Sequence, residues 1–244
     1  DFGKMPGKDG SDWKYPTAQE TDYWSSKNIT TQRIGFRWER LQPALNGKFD
    51  DGYNNQLKNF VKYSTDKGIN VLLNPQNFMR YNGSTVGSPN VPVSAFADFW
   101  SKLSAQFKDN PRVLFGLNNE PNGMSSTTLI TAENAAIAAI RQTGAKNIIT
   151  VPGNGWTGVA SFNQTWVDSD NKISNASLFN QIKDSGNNWM IELHHYPDSD
   201  AGGGFDNNTC TRNPTTELRA VVTWLRANNK KLIIGEYGAV NNEN

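Results

Sequence analysis

Cysteine is nearly absent from this chain. Its 244 residues include one, Cys210, and only two histidines, the neighbours His194 and His195. Adjacent strand residues point to opposite faces, so the two imidazoles do not hold a metal together. No other Cys, His or carboxylate residues recur at metal-ligand spacing, so neither a metal nor a cofactor is expected. No Gly-x-Ser-x-Gly elbow occurs, and Cys210 lies in a polar loop far from any predicted strand end. Serine and cysteine nucleophile chemistry is therefore unsupported. Charge is scarce as well: 19% of residues are charged and the net charge is +1, without a basic stripe. That argues against a nucleic-acid partner. No apolar stretch is long enough to span a bilayer, so no membrane partner is expected. No signal peptide is present and the first residue is Asp1 rather than Met. The chain is expected to be mature, trimmed or a fragment.

The polarity that charge does not supply comes from Asn, Ser, Thr and Gly. Five Asn-x-Ser/Thr sequons begin at Asn28, Asn82, Asn163, Asn175 and Asn207. Each is weak alone in an Asn-rich chain, but together with low charge they point to a secreted glycoprotein. The 36% hydrophobic and 11% aromatic content is enough for a real core. The length suits one barrel-sized domain over residues 1–244.

Short β-rich runs alternate with helical patterns. The runs are Thr31 to Trp38, Ile69 to Asn77, Val113 to Pro121, Asn147 to Trp156, Trp189 to Tyr196 and Leu232 to Gly238. Between them, Phe96, Phe99, Trp100, Leu103 and Phe107 have helical spacing. So do Leu218, Val221, Val222 and Leu225, and Leu57, Phe60 and Val61. Gly68, Gly144 and Gly186 each follow a helical pattern, where a left-handed cap is common. Strand–helix alternation means parallel strands joined by crossovers. A doubly wound sheet is disfavoured because no Gly-rich phosphate fingerprint follows the first strand.

Polar residues instead gather at the strand ends. They are Arg37 and Glu39; Asn74, Gln76 and Asn77; Asn118, Asn119 and Glu120; Asn154 and Trp156; His194 and Tyr196; and Glu236. In a barrel all those ends meet at one mouth. Parity agrees: Ile191 and Leu193 share one face of their strand, while Glu192, His194 and Tyr196 share the other. Likewise Ile34 and Phe36 oppose Arg33 and Gly35. The expected fold is an α/β (β/α)8 TIM barrel.

Glu120, in Leu117-Asn-Asn-Glu-Pro121, and Glu236, in Leu232-Ile-Ile-Gly-Glu-Tyr-Gly238, each follow an apolar run. Two carboxylates entering one mouth from different strands suit glycoside hydrolysis, one as proton donor and one as nucleophile or base. Spacing alone equally allows ordinary strand-end ion pairs. His194 is open to two readings, a substrate or carboxylate contact and a hydrogen-bonded core histidine; His195 is read as structural. Trp38, Tyr81, Trp156 and Tyr237 stand near strand ends, and Trp156 is the strongest sugar-stacking candidate because it follows Gly153-Asn-Gly155 in a loop.

At this point the chain resembles the glycoside hydrolase family 5 cellulases, retaining endo-β-1,4-glucanases, over essentially its whole length. The resemblance is carried by Arg33-Ile-Gly-Phe-Arg-Trp-Glu-Arg-Leu-Gln-Pro43, Phe99-Trp100, Gln106-Phe-Lys-Asp-Asn-Pro111, Phe115-Gly-Leu-Asn-Asn-Glu-Pro121, Val151-Pro-Gly-Asn-Gly-Trp156, His194-His-Tyr-Pro-Asp-Ser-Asp200 and Gly235-Glu-Tyr-Gly238. It implies Glu120 as acid/base, Glu236 as nucleophile, Asn119 on the sugar 2-hydroxyl, and Arg33 holding the nucleophile ionised. His194 and Tyr196 would line the cleavage site. The implied partner is a β-1,4-glucan chain, acted on without a cofactor by a monomer.

Three departures accompany it. The family usually has an Asp-x-His-Asn type sequence at the third strand, and Asn74-Pro-Gln-Asn77 stands here; Gln76 hydrogen-bonds a hydroxyl but does not titrate. Second, the first strand and the last β/α unit, with its stacking Trp, are expected to be largely missing, so the barrel is read as incomplete. Third, Cys210 stands where related cellulases often have a disulfide partner beyond the Gly-Glu strand. The alternative function is a catalytically weak or inactive carbohydrate-binding barrel.

Overall fold

Every predicted run contains a strand in the computed structural model, which describes residues 4–204 and 209–240. Asp1 to Gly3, which the resemblance implies are the tail of the largely missing first strand, and the Asn207 sequon lie outside those residues. In chain order the strands are β1 Thr31–Phe36, β2 Asn70–Pro75, β3 Arg80–Tyr81, β4 Ser84–Thr85, β5 Val113–Gly116, β6 Ile149–Pro152, β7 Trp189–His195 and β8 Leu232–Tyr237. β3 and β4 form a small antiparallel hairpin. The other six make one parallel sheet in the order β1-β2-β5-β6-β7-β8. That order follows the sequence without reversal, whereas a doubly wound sheet would reverse part-way. The architecture is an incomplete (β/α)8 barrel.

Helices α1 Ala18–Ser26 and α2 Trp38–Leu41 flank β1, and α3 Asp51–Asp66 follows. The remaining crossovers are α4 Val93–Phe107, α5 Ser126–Gln142, α6 Asn175–Phe179 and α7 Pro214–Ala227. Helix starts follow the side chains available: Asp50 Oδ1 accepts from the Tyr53 amide at 2.8 Å at α3. At α7, Asn213 caps with Pro214 in the first turn. The α4 stripe Phe96, Phe99, Trp100, Leu103 and Phe107 is buried as its spacing predicts. With Phe36, Trp38 and Phe115 it builds an aromatic core between helices and sheet, each large ring contributing roughly 2–3 kcal/mol of burial. On α7 the stripe is narrower, since Val221 and Leu225 are buried but Val222 is exposed.

Gly68 and Gly144 take the left-handed conformation expected of caps, with φ +84° and +87°. Gly186 does not. It sits against the Arg141 guanidinium, where a Cβ would come within 2.7 Å of Nε, so close approach rather than capping explains it. β2 is buried from Val71 onward, whereas β1 and β8, the outer strands of the sheet, remain half-exposed along most of their length. No helix among the described residues is long and apolar enough to cross a membrane.

Candidate active site

Alternation along β1 and β7 aims Arg33, Glu192 and His194 toward the barrel axis, and β8 brings Glu236 to the same place. The Arg33 guanidinium is the hub. Its Nε donates to Glu192 Oε1 at 2.9 Å, Nη1 to Glu236 Oε1 at 2.5 Å and Nη2 to Asn119 Oδ1 at 2.7 Å. The Tyr196 hydroxyl donates to the other oxygen of Glu236 at 2.8 Å. His194 Nδ1 lies 2.7 Å from Glu120 Oε1 and 3.7 Å from Glu236 Oε2. One oxygen of each glutamate and the His194 donor all fall within 4.8 Å of one another. The two glutamates therefore face each other across a single point.

Glu120 does not end its strand, as the sequence reading had it. β5 stops at Gly116, and the chain runs on beside its neighbours through Leu117 N to Thr150 O and Asn119 N to Pro75 O. Glu120 then turns with φ +44°, an uncommon conformation for a residue with a side chain. The turn swings its carboxyl toward His194.

Glu192 was visible from the sequence only as a residue sharing a face with His194. It is fully buried, accepts from Arg33 and from the Thr150 hydroxyl, and has His194 Nε2 at 3.4 Å. Gly235 makes room for it: a Cβ there would stand 2.4 Å from Glu192 Oε1. The glycine of the Gly-Glu element thus admits a buried carboxylate behind the exposed one.

These contacts set the protonation states. Burial acts to raise the pKa of Glu236, but the charges of His194 and Arg33 and the hydrogen bonds from Tyr196 and Arg33 outweigh it and hold the carboxyl below its usual range. Glu192 follows the same logic: burial raises, and His194, Arg33 and Thr150 together lower it further. Burial acts to lower the His194 pKa, yet hydrogen bonds to Glu120 and Glu192 and the charge of Glu236 leave it raised. Tyr196 is pushed up by burial and by its bond to Glu236. His194 Nδ1 and Glu120 Oε1 are within hydrogen-bond distance at 2.7 Å, and which of them donates depends on the histidine tautomer.

If Glu192 sustains that proton, Glu192→Gln should move the alkaline limb of the pH–rate profile to lower pH, because His194 loses a supporting charge. It should also cost roughly 10²-fold in kcat/KM as Arg33 and His194 lose alignment. A profile identical to the parent's would show that Glu192 only fills space.

The other predicted residues divide. Asn119 is buried against Arg33, and its amide nitrogen has no protein acceptor among the described residues. Trp156 is 52% exposed, with φ +57°, and lines a cavity of about 690 Å³ with Glu120, His194, Tyr196, Trp166 and Arg212. Trp166, 58% exposed in a 3₁₀ turn, gave no periodic signal and was missed. Gln76 lines a second cavity of about 580 Å³ with Arg33 and Glu236, and its oxygen accepts from Asn74 at 2.9 Å. This cavity also touches Gln32, Ile34, Ile29 and Trp24, so it wraps the outer edge of β1.

Several strand-end residues prove structural. Asn77 joins the Trp38 amide to Glu39, Asn118 accepts from the Met79 amide, and Asn154 is tied to Asn175, Met124 and Ser126. Trp38 and Tyr81 are core, while Tyr237 is largely exposed. His195 faces Glu217 at 3.5 Å, away from the cluster. Cys210 is an exposed free thiol. The Asn175 sequon is corrected by burial, because its side chain bonds both ways with the Asn154 backbone and has no room for a glycan. Asn28, Asn82 and Asn163 are exposed.

The chain that carries this carboxylate pair matches a known family over nearly its whole length. The model for Cellulase (glycosyl hydrolase family 5) matches residues 3–244. The chain belongs to glycosyl hydrolase family 5. Among curated members, Endoglucanase 1 of Robillarda sp. (strain Y-20) is 36% identical over 97% of this chain and 64% of its own length. Endo-beta-1,4-glucanase B of Emericella nidulans is 33% identical over 100% of this chain and 71% of its own length. The family 5 chain thus spans about two thirds of the length of these relatives. The structure of XacCel5A in complex with cellopentaose superposes with a TM-score of 0.92 at 38% identity, covering 98% of this chain and 75% of that one.

Proposed function

We propose that residues 1–244 act as one catalytic domain, a retaining endo-β-1,4-glucanase in which Glu236 is the nucleophile and Glu120 the acid/base. The observation that carries this reading is the carboxylate approach within 4.8 Å. Retaining pairs stand about 5–5.5 Å apart, whereas inverting pairs leave roughly 6.5–9.5 Å for a water. Family membership and the endoglucanase names of the relatives support the reaction class. The cellopentaose bound to the solved relative supports a β-glucan substrate. The inactive carbohydrate-binding alternative is not favoured, because every group the chemistry needs converges on one point.

In the first step Glu236 attacks the anomeric carbon while the proton shared by Glu120 and His194 passes from Glu120 to the departing glycosidic oxygen. The bond to the leaving chain breaks as the glycosyl–Glu236 ester forms. A water then attacks the same carbon, gives its proton to Glu120, and releases Glu236. Arg33 balances the charge of Glu236, the Tyr196 hydroxyl hydrogen-bonds it, and the unspent Asn119 amide donates to the sugar 2-hydroxyl. Trp156 and Trp166 offer apolar faces to the glucan on the leaving-group side. The domain is proposed to act as a secreted monomer without cofactor, with glycans accommodated at Asn28, Asn82 and Asn163 rather than Asn175.

The expected pH–rate profile is a bell. Its acid limb lies below the ordinary glutamate range, because Glu236 must be ionised and is held low. Its alkaline limb lies above the ordinary histidine range, because the Glu120–His194 proton must be present and His194 is raised. Initial rates on soluble β-1,4-glucan from acid to alkaline pH test it; a single limb or a profile centred below the glutamate range would refute the assignment.

Gln76→His should raise the rate about tenfold, the equivalent of one hydrogen bond to a charged group. Gly35 leaves the space, since a Cβ there would lie 2.8 Å from Gln76 Oε1. An unchanged rate would show that position 76 is not limiting.

A further inference from the structure

We infer that Glu120, His194 and Glu236 form an inhibitory site for a divalent transition cation of the kind that imidazole and carboxylate bind, zinc(II) or copper(II). The inference concerns binding and does not depend on the reaction proposed above.

Three donors converge. His194 Nδ1 is 2.7 Å from Glu120 Oε1 and 3.7 Å from Glu236 Oε2, and the set closes within 4.8 Å. Donors about 2.0–2.2 Å from one tetrahedral zinc stand roughly 3.3–3.5 Å apart. Glu120 must therefore retreat slightly from the histidine, Glu236 approach it slightly, and the two glutamate oxygens, up to 4.8 Å apart, close toward each other by roughly 1.3 Å. Both glutamate side chains are part-exposed and have that freedom, while His194 is fixed by burial.

The histidine is already backed as a ligand should be. Its far nitrogen, Nε2, stands 3.4 Å from Glu192 Oε1 and 3.5 Å from Arg33 Nη2; with its proton on Nε2 the ring donates to Glu192, the carboxylate–histidine arrangement that orients and strengthens an imidazole donor. Glu236 is oriented by Arg33 on one oxygen, which leaves the other, now held by the Tyr196 hydroxyl, to turn to a cation. Charge favours occupancy: three carboxylates, Glu120, Glu192 and Glu236, face one guanidinium, Arg33. The cation would displace the proton held between His194 and Glu120 to solvent. Its fourth position opens on the 690 Å³ cavity, where water can complete the shell. Calcium and magnesium, which need six or more oxygen donors, are poorly served by two carboxylates and an imidazole. A cation here would occupy the space a sugar ring must enter.

The test is calorimetric titration of the whole chain with zinc chloride, with cobalt(II) as an optical probe of the coordination shell. One zinc per chain is expected, together with visible cobalt bands of a four- or five-coordinate nitrogen–oxygen site. Glu192→Gln should weaken zinc roughly 10–100-fold by removing the support of His194. His194→Gln should remove binding altogether, and His195→Gln should leave it unchanged. If His194→Gln does not fold, Glu236→Gln answers the same question by losing the site. Zinc binding absent from the parent, matched by calcium, or retained undiminished in Glu192→Gln and Glu236→Gln would overturn the proposal. Cello-oligosaccharide should compete with zinc for the site; binding of both together would also overturn it.

Discussion

Glu236→Gln is expected to lower kcat on soluble β-1,4-glucan by on the order of 10⁴-fold or more, with the fold and KM little changed. The size follows from the role: a nucleophile that forms the covalent bond cannot be replaced by a neutral amide, and losses of 10⁴ to 10⁶ attend such removals. The structural cost is small by comparison. Arg33 keeps its bonds to Glu192 and Asn119, so its guanidinium is not stranded. Steady-state kinetics and circular dichroism on the same preparation separate the two effects. With the smaller Glu236→Ala, added azide should restore turnover and yield the glycosyl azide of inverted configuration. Turnover by Glu236→Gln within about tenfold of the parent would remove this residue from the chemistry.

Glu120→Gln carries the second large effect, and its size should depend on the leaving group. A glucan leaving group needs a proton, so the loss there should reach about 10²–10⁴-fold, the range of general acid catalysis. An aryl cellobioside with an acidic phenol needs little protonation, so the first step should survive and the ester on Glu236 should accumulate as a burst. Glu120 also anchors His194 at 2.7 Å. The variant weakens a hydrogen bond that raises His194, and whatever activity remains should lose its alkaline limb at lower pH than in the parent. Equal losses on glucan and on the activated cellobioside would argue for a positioning role instead.

Much of this site was legible before any coordinates. Asn119, Glu120, His194, Tyr196 and Glu236 stand in short motifs at the ends of apolar runs, and strand parity separated Arg33, Glu192 and His194 from the apolar faces of their strands. The barrel was legible for the same reason: alternation of strand and helix fixes parallel pairing, and polar strand ends need a common mouth.

What stayed hidden depends on partners from other loops. Asn77, Asn118 and Asn154 look as functional in sequence as Asn119, yet each is spent on a backbone group that only tertiary structure brings near. Glu192 looked like an inner-face residue, and its role needs Arg33, Thr150 and the missing side chain of Gly235 around it. Trp166 sits in a loop pinned by Asp168, which accepts from the amides of Ser126, Asp170, Lys172 and Ile173. Such a loop has no periodicity to read. The exposed face of Val222 and the burial of Asn175 belong here too, since helix spacing and a sequon are local patterns and burial is not.

Most of the reading rests on Glu236 forming a covalent bond to the sugar. Incubation with a 2-deoxy-2-fluoro-β-cellobioside bearing a good leaving group should trap that bond, because the fluorine slows both formation and hydrolysis of the ester while the leaving group restores its formation, so the ester accumulates. Mass spectrometry of the proteolysed chain should place one fluorocellobiosyl adduct on Glu236, in the peptide that follows Lys231. An adduct on Glu120 or another side chain, or an intact chain that turns over glucan yet never carries the label, would contradict it.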